Sequence, residues 1–477
     1  MKVLLLNPPE RNVVQANLPG AVEGLRGATP PIGLMYVASA ARSDDRHEVS
    51  ILDAHALDLD YDELRKVLGE KRPDIVGITM NSFTLLDALE TVKSVRRVLP
   101  ETVVVAGGLQ PFLFPEETAR LGAFDYSLQG EAEETFPMLL DALSDGKSVE
   151  SIPGILFLRD GSVVSQPVLP GFDELDSLPF PAHDLIPLPR YSSLVADLHP
   201  VSIMVTSRGC PFRCSFCSRS VTGKVYRFRS ARNVVEEMEM CQALGIRYLL
   251  IYDEVMTVQR ERVLDICHQI RSRGIRMKWM ARARAETIEM DMLKAMKGAG
   301  CDLVTLGIES GSPRVLARLN RPVDLTAAKD FFKQAREAGL RSIAYFMIGN
   351  PDETMDDVRE SLDVAVKARP DMIHASAFMP YPATDLYEEG LETGRFEVDY
   401  WRVFAAKPST KFRPRLWTKP GGEKEIEKRL FWFYRRFYLR PSYILRRACN
   451  PGGWKGMGQN VRGLLALIVK RRWSFDT

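Results

Sequence analysis

No cysteine occurs before residue 210. The first two hundred residues therefore work without thiol chemistry of their own, which excludes a disulfide framework or a thiolate metal site there. The chain also lacks any apolar run near the ~20 residues needed to span a bilayer. Its opening, Met1-Lys2-Val3-Leu4-Leu5-Leu6-Asn7-Pro8-Pro9, is too short an apolar stretch for a signal peptide. The expectation is a cytoplasmic protein with reduced thiols. An excess of one charge is missing as well: the net charge is +2, which gives no general case for nucleic acid. What asymmetry exists is at the C-terminal end. Gly421–Thr477 holds thirteen Lys and Arg against four acidic residues, a net of +9 that leaves −7 for the rest. At 477 residues the chain has room for two or three domains.

The cysteine that is present is concentrated. Three of the seven fall in Ser207-Arg208-Gly209-Cys210-Pro211-Phe212-Arg213-Cys214-Ser215-Phe216-Cys217, with the spacing C-x3-C-x2-C. A [4Fe–4S] cube has an outer ligand on each iron, so three thiolates in one loop with no evident fourth leave one iron open. An open iron can hold a substrate or cofactor, whereas a simple electron carrier gains nothing from it. A zinc site is the competing reading. Cys241, Cys267 and His268 are the nearest further ligands, and they form no second C-x2-C or H-x3-H.

Residues 1–145 alternate strand and helix signals. Strands are expected at Val3–Leu6, Val49–Leu52, Ile75–Thr79, Val103–Ala106 and Tyr126–Leu128, with helices at Ile32–Ala41 and Leu85–Val98. Such alternation indicates an α/β, doubly wound parallel sheet, whose ligands bind beyond the carboxyl ends of the strands. Residues 146–200 are rich in proline and read as an extended connector with a small hairpin around Asp160-Gly161. From 201 to 390, strand signals recur at Ser202–Thr206, Tyr248–Tyr252, Met277–Ala281, Leu303–Leu306, Ser342–Ile348 and Met372–Phe378, alternating with helices. Six such units make a partial parallel barrel. The cysteine loop follows the first of these strands, at the functional face. Asp253, Glu254, Arg282, Arg284, Glu309, Ser310, Asn350 and Tyr381 end the later strands and are expected at the same face.

The cysteine loop, with Phe216 before its last thiol, resembles the signature of radical S-adenosylmethionine (SAM) enzymes. The likeness continues through Tyr252-Asp253-Glu254-Val255-Met256-Thr257, Gly307-Ile308-Glu309-Ser310-Gly311-Ser312, Phe346–Thr354 and Tyr381-Pro382-Ala383-Thr384. The amino-terminal part resembles a cobalamin-binding domain through Pro30-Pro31-Ile32-Gly33-Leu34, Asp53, Ala106-Gly107-Gly108 and Gly130-Glu131-Ala132-Glu133. In this order the pieces, over about residues 1–390, are similar to the cobalamin-dependent radical SAM family, which includes methyltransferases and the anaerobic magnesium-protoporphyrin monomethyl ester cyclase type. The resemblance implies that Cys210, Cys214 and Cys217 ligate a [4Fe–4S] cluster completed by SAM. One electron into the sulfonium then yields a 5′-deoxyadenosyl radical, and methyl transfer via methylcobalamin or oxidative cyclisation follows. It implies an external one-electron reductant of the flavodoxin or ferredoxin type. Phe216, Asp253, Glu254, Arg282, Glu309 and Ser310 become the SAM contacts. Phe216 aside, each of these polar residues, taken alone, reads equally as part of a salt bridge at the end of a barrel strand. Asn7, Pro8, Asp53, Ser82, Gly107, Gly108, Gly130 and Glu131 become the cobalamin contacts.

Two positions depart from the family pattern, with Ala132 and Ala383 where glycine is usual. A third departure concerns His55. Asp53-Ala54-His55 begins a cobalt-ligating D-x-H-x-x-G, but Asp58 stands in place of the glycine and the motif follows the second strand, not the first. His55 therefore reads as a solvated loop histidine, leaving cobalt without a protein ligand below.

Residues 391–477 form a helical, basic tail. Bases interleave with aromatics in Phe431–Pro441, and a second stretch runs Gly463–Trp473. The first reads as a helix capping the barrel by its aromatic face. The alternative is peripheral contact with the inner face of a membrane that holds a lipid-like substrate. A small-molecule substrate is otherwise the only partner class besides the reductant; nothing beyond the tail favours nucleic acid.

Overall fold

The structure is a computed structural model that describes residues 1–14, 28–218, 223–419 and 421–448. The expected stretch Gly463–Trp473 lies outside these residues.

Seven strands build the first sheet: β1 (Lys2–Asn7), β2 (Glu48–Asp53), β3 (Ile75–Thr79), β4 (Val103–Gly107), β5 (Tyr126–Leu128), β6 (Ile155–Arg159) and β7 (Ser162–Ser165). Their order is β2-β1-β3-β4-β5-β6-β7. The first five are parallel. β1 lies between β2 and β3, and all of Val3–Leu6 are buried, as a central strand with helices on both faces requires. Because β1 pairs with both β2 and β3, the chain reverses its winding there, and the loops beyond β1 and β3 part to open a crevice. The hairpin expected at Asp160-Gly161 turns with both residues at positive φ, 49° and 77°. Its strands β6 and β7 add antiparallel to β5, so this part of the proline-rich stretch extends the first sheet.

The second sheet holds β8 (Val201–Met204), β11 (Tyr248–Ile251), β12 (Lys278–Ala283), β13 (Cys301–Glu309), β14 (Arg341–Ile348) and β15 (Met372–Ala377). They are parallel and adjacent in chain order, with β8 and β15 at the two edges. Alternate residues face opposite ways. Val201, Ile203, Tyr248, Leu250, Met280, Leu303 and Ile343 pack together on one face, while Leu249, Ile251, Ala281 and Val304 meet the surrounding helices. A two-residue ladder, β9 (Ser207–Arg208) with β10 (Arg227–Phe228), closes the base of the cysteine loop. The result is the expected six-unit open barrel.

Helix Glu423–Tyr438 caps this barrel, and its aromatic face is turned inward: Ile426, Leu430, Phe433, Tyr434 and Phe437 are buried. Two tyrosines one turn apart finish the exposed edge of β15. Tyr434 Oη accepts from the Ala375 N–H and donates to the Ala375 carbonyl, both at 2.8 Å. Tyr438 Oη does the same at Ile373, both at 2.9 Å. An edge strand left with open donors and acceptors invites pairing with other chains; here two phenols replace the missing neighbour. Among the described residues no helix is long and apolar enough to cross a membrane.

Tyr434→Phe removes both partners of Ala375 in a buried setting and should cost about 1–3 kcal/mol, read from urea unfolding. A change below about 0.5 kcal/mol would contradict the edge-capping role.

Candidate functional site between the two sheets

The carboxyl ends of the two sheets face each other across a cavity of about 300 Å³. The first domain contributes Leu5, Ile32–Leu34, Tyr36, Val37, Gly77–Thr79, Val105–Gly108, Leu128, Gly130–Glu133 and Phe136. The barrel contributes Val205, Ser207, Arg208, Tyr252 and Glu254. The wall is mostly apolar and made for close approach. A Cβ at Gly33 or Gly107 would meet nothing within 4 Å, so both glycines open onto empty space. Gly108 has φ 98°, and a Cβ there would come 2.5 Å from the Met80 carbonyl oxygen, so its backbone can pass only as glycine.

Of the residues expected to contact cobalamin, Gly107, Gly108, Gly130 and Glu131 line this cavity, and Asn7, Pro8, Asp53 and Ser82 are not among its wall residues. Asp53 is fully buried and occupied: Oδ1 accepts from Asn7 Nδ2 (2.9 Å) and the Ala56 N–H (3.0 Å), and Oδ2 from Tyr191 Oη (2.8 Å). It ties the connector to β2. Ser82 donates to Gln110 Oε1 at 2.7 Å, and both are buried. His55 sits apart from the cavity, a third exposed, with Nδ1 3.6 Å from Glu10 Oε2. Among the described residues, no histidine lines the wall.

The cysteine loop leaves the end of β9 through Gly209, at φ 83°. Cys214 is buried, Cys210 half-buried and Cys217 exposed. The loop is pinned by backbone bonds: Ser215 N donates to the Leu319 carbonyl (3.0 Å), and Leu386 N to the Ser215 carbonyl (3.1 Å). Asn320 Nδ2 holds the Arg213 carbonyl at 2.6 Å. Cys241, Cys267 and Cys301 are buried on other elements, where burial pushes their thiols up. The site thus offers three loop-borne thiols in a row, the donor set of a cubane with one open iron. Arg284, one of the strand-end residues, has its guanidinium 3.6 Å from the Phe212 ring centroid and Nη1 3.8 Å from Cys214 Sγ.

The expected SAM contacts divide. Glu254 lines the cavity, Arg282 lies over the Tyr252 ring at 4.6 Å, and Phe216 packs half-buried against the barrel core. Glu309, held at φ 70°, has its carboxyl pushed up to about 7 by burial, against the opposing pull of the Arg284 charge. Asp253 is spent structurally: it accepts from the Thr206 N–H (2.6 Å), Thr206 Oγ1 (2.5 Å) and Ser207 Oγ (2.6 Å), which locks β8 to β11. Ser310 is fully buried against Ser361 Oγ at 3.2 Å. Asn350 supports the carboxyl of Glu353, which burial pushes up to about 7. One further trio, His183, Glu237 and Cys241, has ligand atoms within 4.8 Å of one another. Arg229 pairs with the second oxygen of Glu237, and the Cys241 thiol is raised by burial, so the trio serves as a pin between connector and barrel.

Sequence comparison agrees with this geometry. The Radical SAM superfamily profile matches residues 204–365, and the B12 binding domain profile matches residues 20–140. An uncharacterized methyltransferase of Pyrococcus horikoshii is 34% identical over 473 residues, 98% of this chain and 99% of that one. The chain belongs to the cobalamin-binding radical SAM family. The anaerobic magnesium-protoporphyrin IX monomethyl ester cyclase of Rubrivivax gelatinosus is 26% identical, over 93% of this chain and 78% of that protein. The solved structure of the cobalamin-dependent SAM radical enzyme OxsB with aqua-cobalamin and SAM bound has the same fold, with a TM-score of 0.74 at 17% identity. That likeness covers 97% of this chain and 72% of that one. As a cobalamin-binding radical SAM protein, the chain uses a [4Fe–4S] cluster, SAM and cobalamin. The cavity's glycine-opened, apolar wall fits a flat macrocycle, and the three-thiol loop fits the cluster.

Proposed function

We propose that this protein is a methyltransferase acting on an unactivated carbon of a small molecule, with cobalamin in the inter-sheet cavity and SAM at the cysteine loop. The observation that carries the reading is that one cavity is walled on one side by the loops of the first sheet and on the other by Ser207 and Arg208, the ladder residues from which the cysteine loop departs. When bound, the cluster supplies the electron that cleaves SAM, and cobalamin supplies a methyl carrier. Cys210, Cys214 and Cys217 hold the cluster. Arg284 sets positive charge beside Cys214; Glu254, Arg282 and Glu309 would take the polar groups of SAM, and Phe216 would contact its adenine. Gly107, Gly108 and Gly130 let the corrin approach the backbone. The name of the Pyrococcus relative supports methyl transfer; the likeness to the cyclase keeps oxidative ring closure as the second reading.

Anaerobic reconstitution should separate these. Cys214→Ala should lose the visible absorbance of the cluster and all 5′-deoxyadenosine formation; formation at the wild-type rate would overturn the assignment. With a substrate panel, a product heavier by one methyl supports transfer, and a product of unchanged carbon count supports the cyclase reading.

The electron comes from an external donor of the flavodoxin or ferredoxin type. Peripheral membrane contact is the finer reading of the C-terminal end. It is supported by helix Pro441–Ala448, where Ile444 (48% exposed) and Leu445 (66%) stand out beside Arg440 and Arg446. The full protein should then float with anionic vesicles and lose this when Ile444 and Leu445 are both changed to Ser. Absence of flotation ends the idea.

A further inference from the structure

The base of the cysteine loop is bolted to the first domain by a closed set of four buried charges. Arg208 and Arg227 lie opposite each other in the β9–β10 ladder, the point where the loop begins and returns. One carboxylate holds both. Glu131 Oε2 is 3.0 Å from Arg208 Nη1, and Oε1 pairs with Arg227 Nη2. A third donor, the Phe172 N–H, reaches Glu131 Oε2 at 3.2 Å. Glu133 takes the other arm of Arg208, whose guanidinium lies 5.1 Å from the centre of the Tyr36 ring. Side chains of all four are at most 10% exposed. Burial alone would raise the Glu131 carboxyl; the bond from Arg227 and the charge of Arg208 outweigh it and leave it below the ordinary range. Both acids come from the loop after β5, and both bases from the ladder that closes the cysteine loop.

We infer that Glu131, with Arg208 and Arg227, is a positioning device: the fork fixes the cysteine loop against the cobalamin domain and so sets the separation of the two cofactors. Buried ion sets contribute little net stability but select one geometry, and bidentate guanidinium–carboxylate pairs do so most strictly. The ladder is only two residues long, so the fork is what orients it. Glu131 also lines the cavity, so the fork stands at the wall itself.

Glu131→Gln keeps the shape and removes the charge. In cofactor-free protein, hydrogen exchange of the Cys210–Cys217 amides should speed up roughly tenfold or more while β1–β4 stay protected. In protein loaded with cluster and hydroxocobalamin, then reduced, the Co(II) spin relaxation enhancement caused by the nearby reduced cluster should fall severalfold at unchanged iron and cobalt content. Glu131→Asp, which restores the charge, should recover part of the coupling. Wild-type exchange together with wild-type spin coupling in Glu131→Gln overturns the inference. If that variant does not fold, Glu133→Gln, which frees one arm of Arg208, carries the same two readouts, and wild-type values in both again overturn it. The inference rests on the two-cofactor reading, yet the two fail separately. Wild-type protein that takes up no cobalamin contradicts that reading, while the exchange measurement still tests the fork.

Discussion

Everything at this site depends on one constraint, that parallel strands deliver all their outgoing loops to one end of a sheet. Two such sheets follow one another in the chain and are set end against end. The winding reversal at β1 and β3 opens a crevice in the first, and the first barrel strand carries the thiols to the rim of the second. A cavity walled by the loops of the first sheet and by the foot of the cysteine loop results from this placement. It does not require any single loop to be unusual.

The two halves make different demands on their side chains. The first domain offers backbone and apolar surface, with glycines where a side chain would fill the space. The barrel offers charge: Arg282 over Tyr252, Arg284 at Cys214, and Glu309 with its carboxyl pushed up by burial. Buried carboxylates tie elements within each half and across them. Asp53 joins β2 to the connector, Asp253 joins β8 to β11, and Glu131 joins the cysteine loop to the loop after β5. These carboxylates hold elements together; Glu131 does so from the cavity wall, where Glu254 also stands.

Much of this was legible in the residues. The short apolar runs marked the parallel strands of both sheets to within about three residues, because buried parallel strands leave little else to read. The C-x3-C-x2-C spacing marked the cluster loop, and the interleaving of bases with aromatics over Phe431–Pro441 marked a helix that caps the barrel by its aromatic face. Strand-end acids were harder. Asp253 and Glu254 are neighbours in sequence, yet one is consumed by Thr206 and Ser207 and the other faces the cavity; only the fold says which. Arg208 went unremarked because its partners lie 75 residues and more away, and no local pattern reports a pairing at that distance. Its place two residues before Cys210 was the available signal.

The central claim is that the cavity between the sheets is the cobalamin site. Gly107 tests it most directly, because it lines that space and a Cβ there would meet nothing within 4 Å. Visible spectroscopy of anaerobically reconstituted Gly107→Phe should show a full cluster and almost no bound cobalamin, against about one equivalent in the unaltered protein. Full cobalamin in the variant would contradict the account.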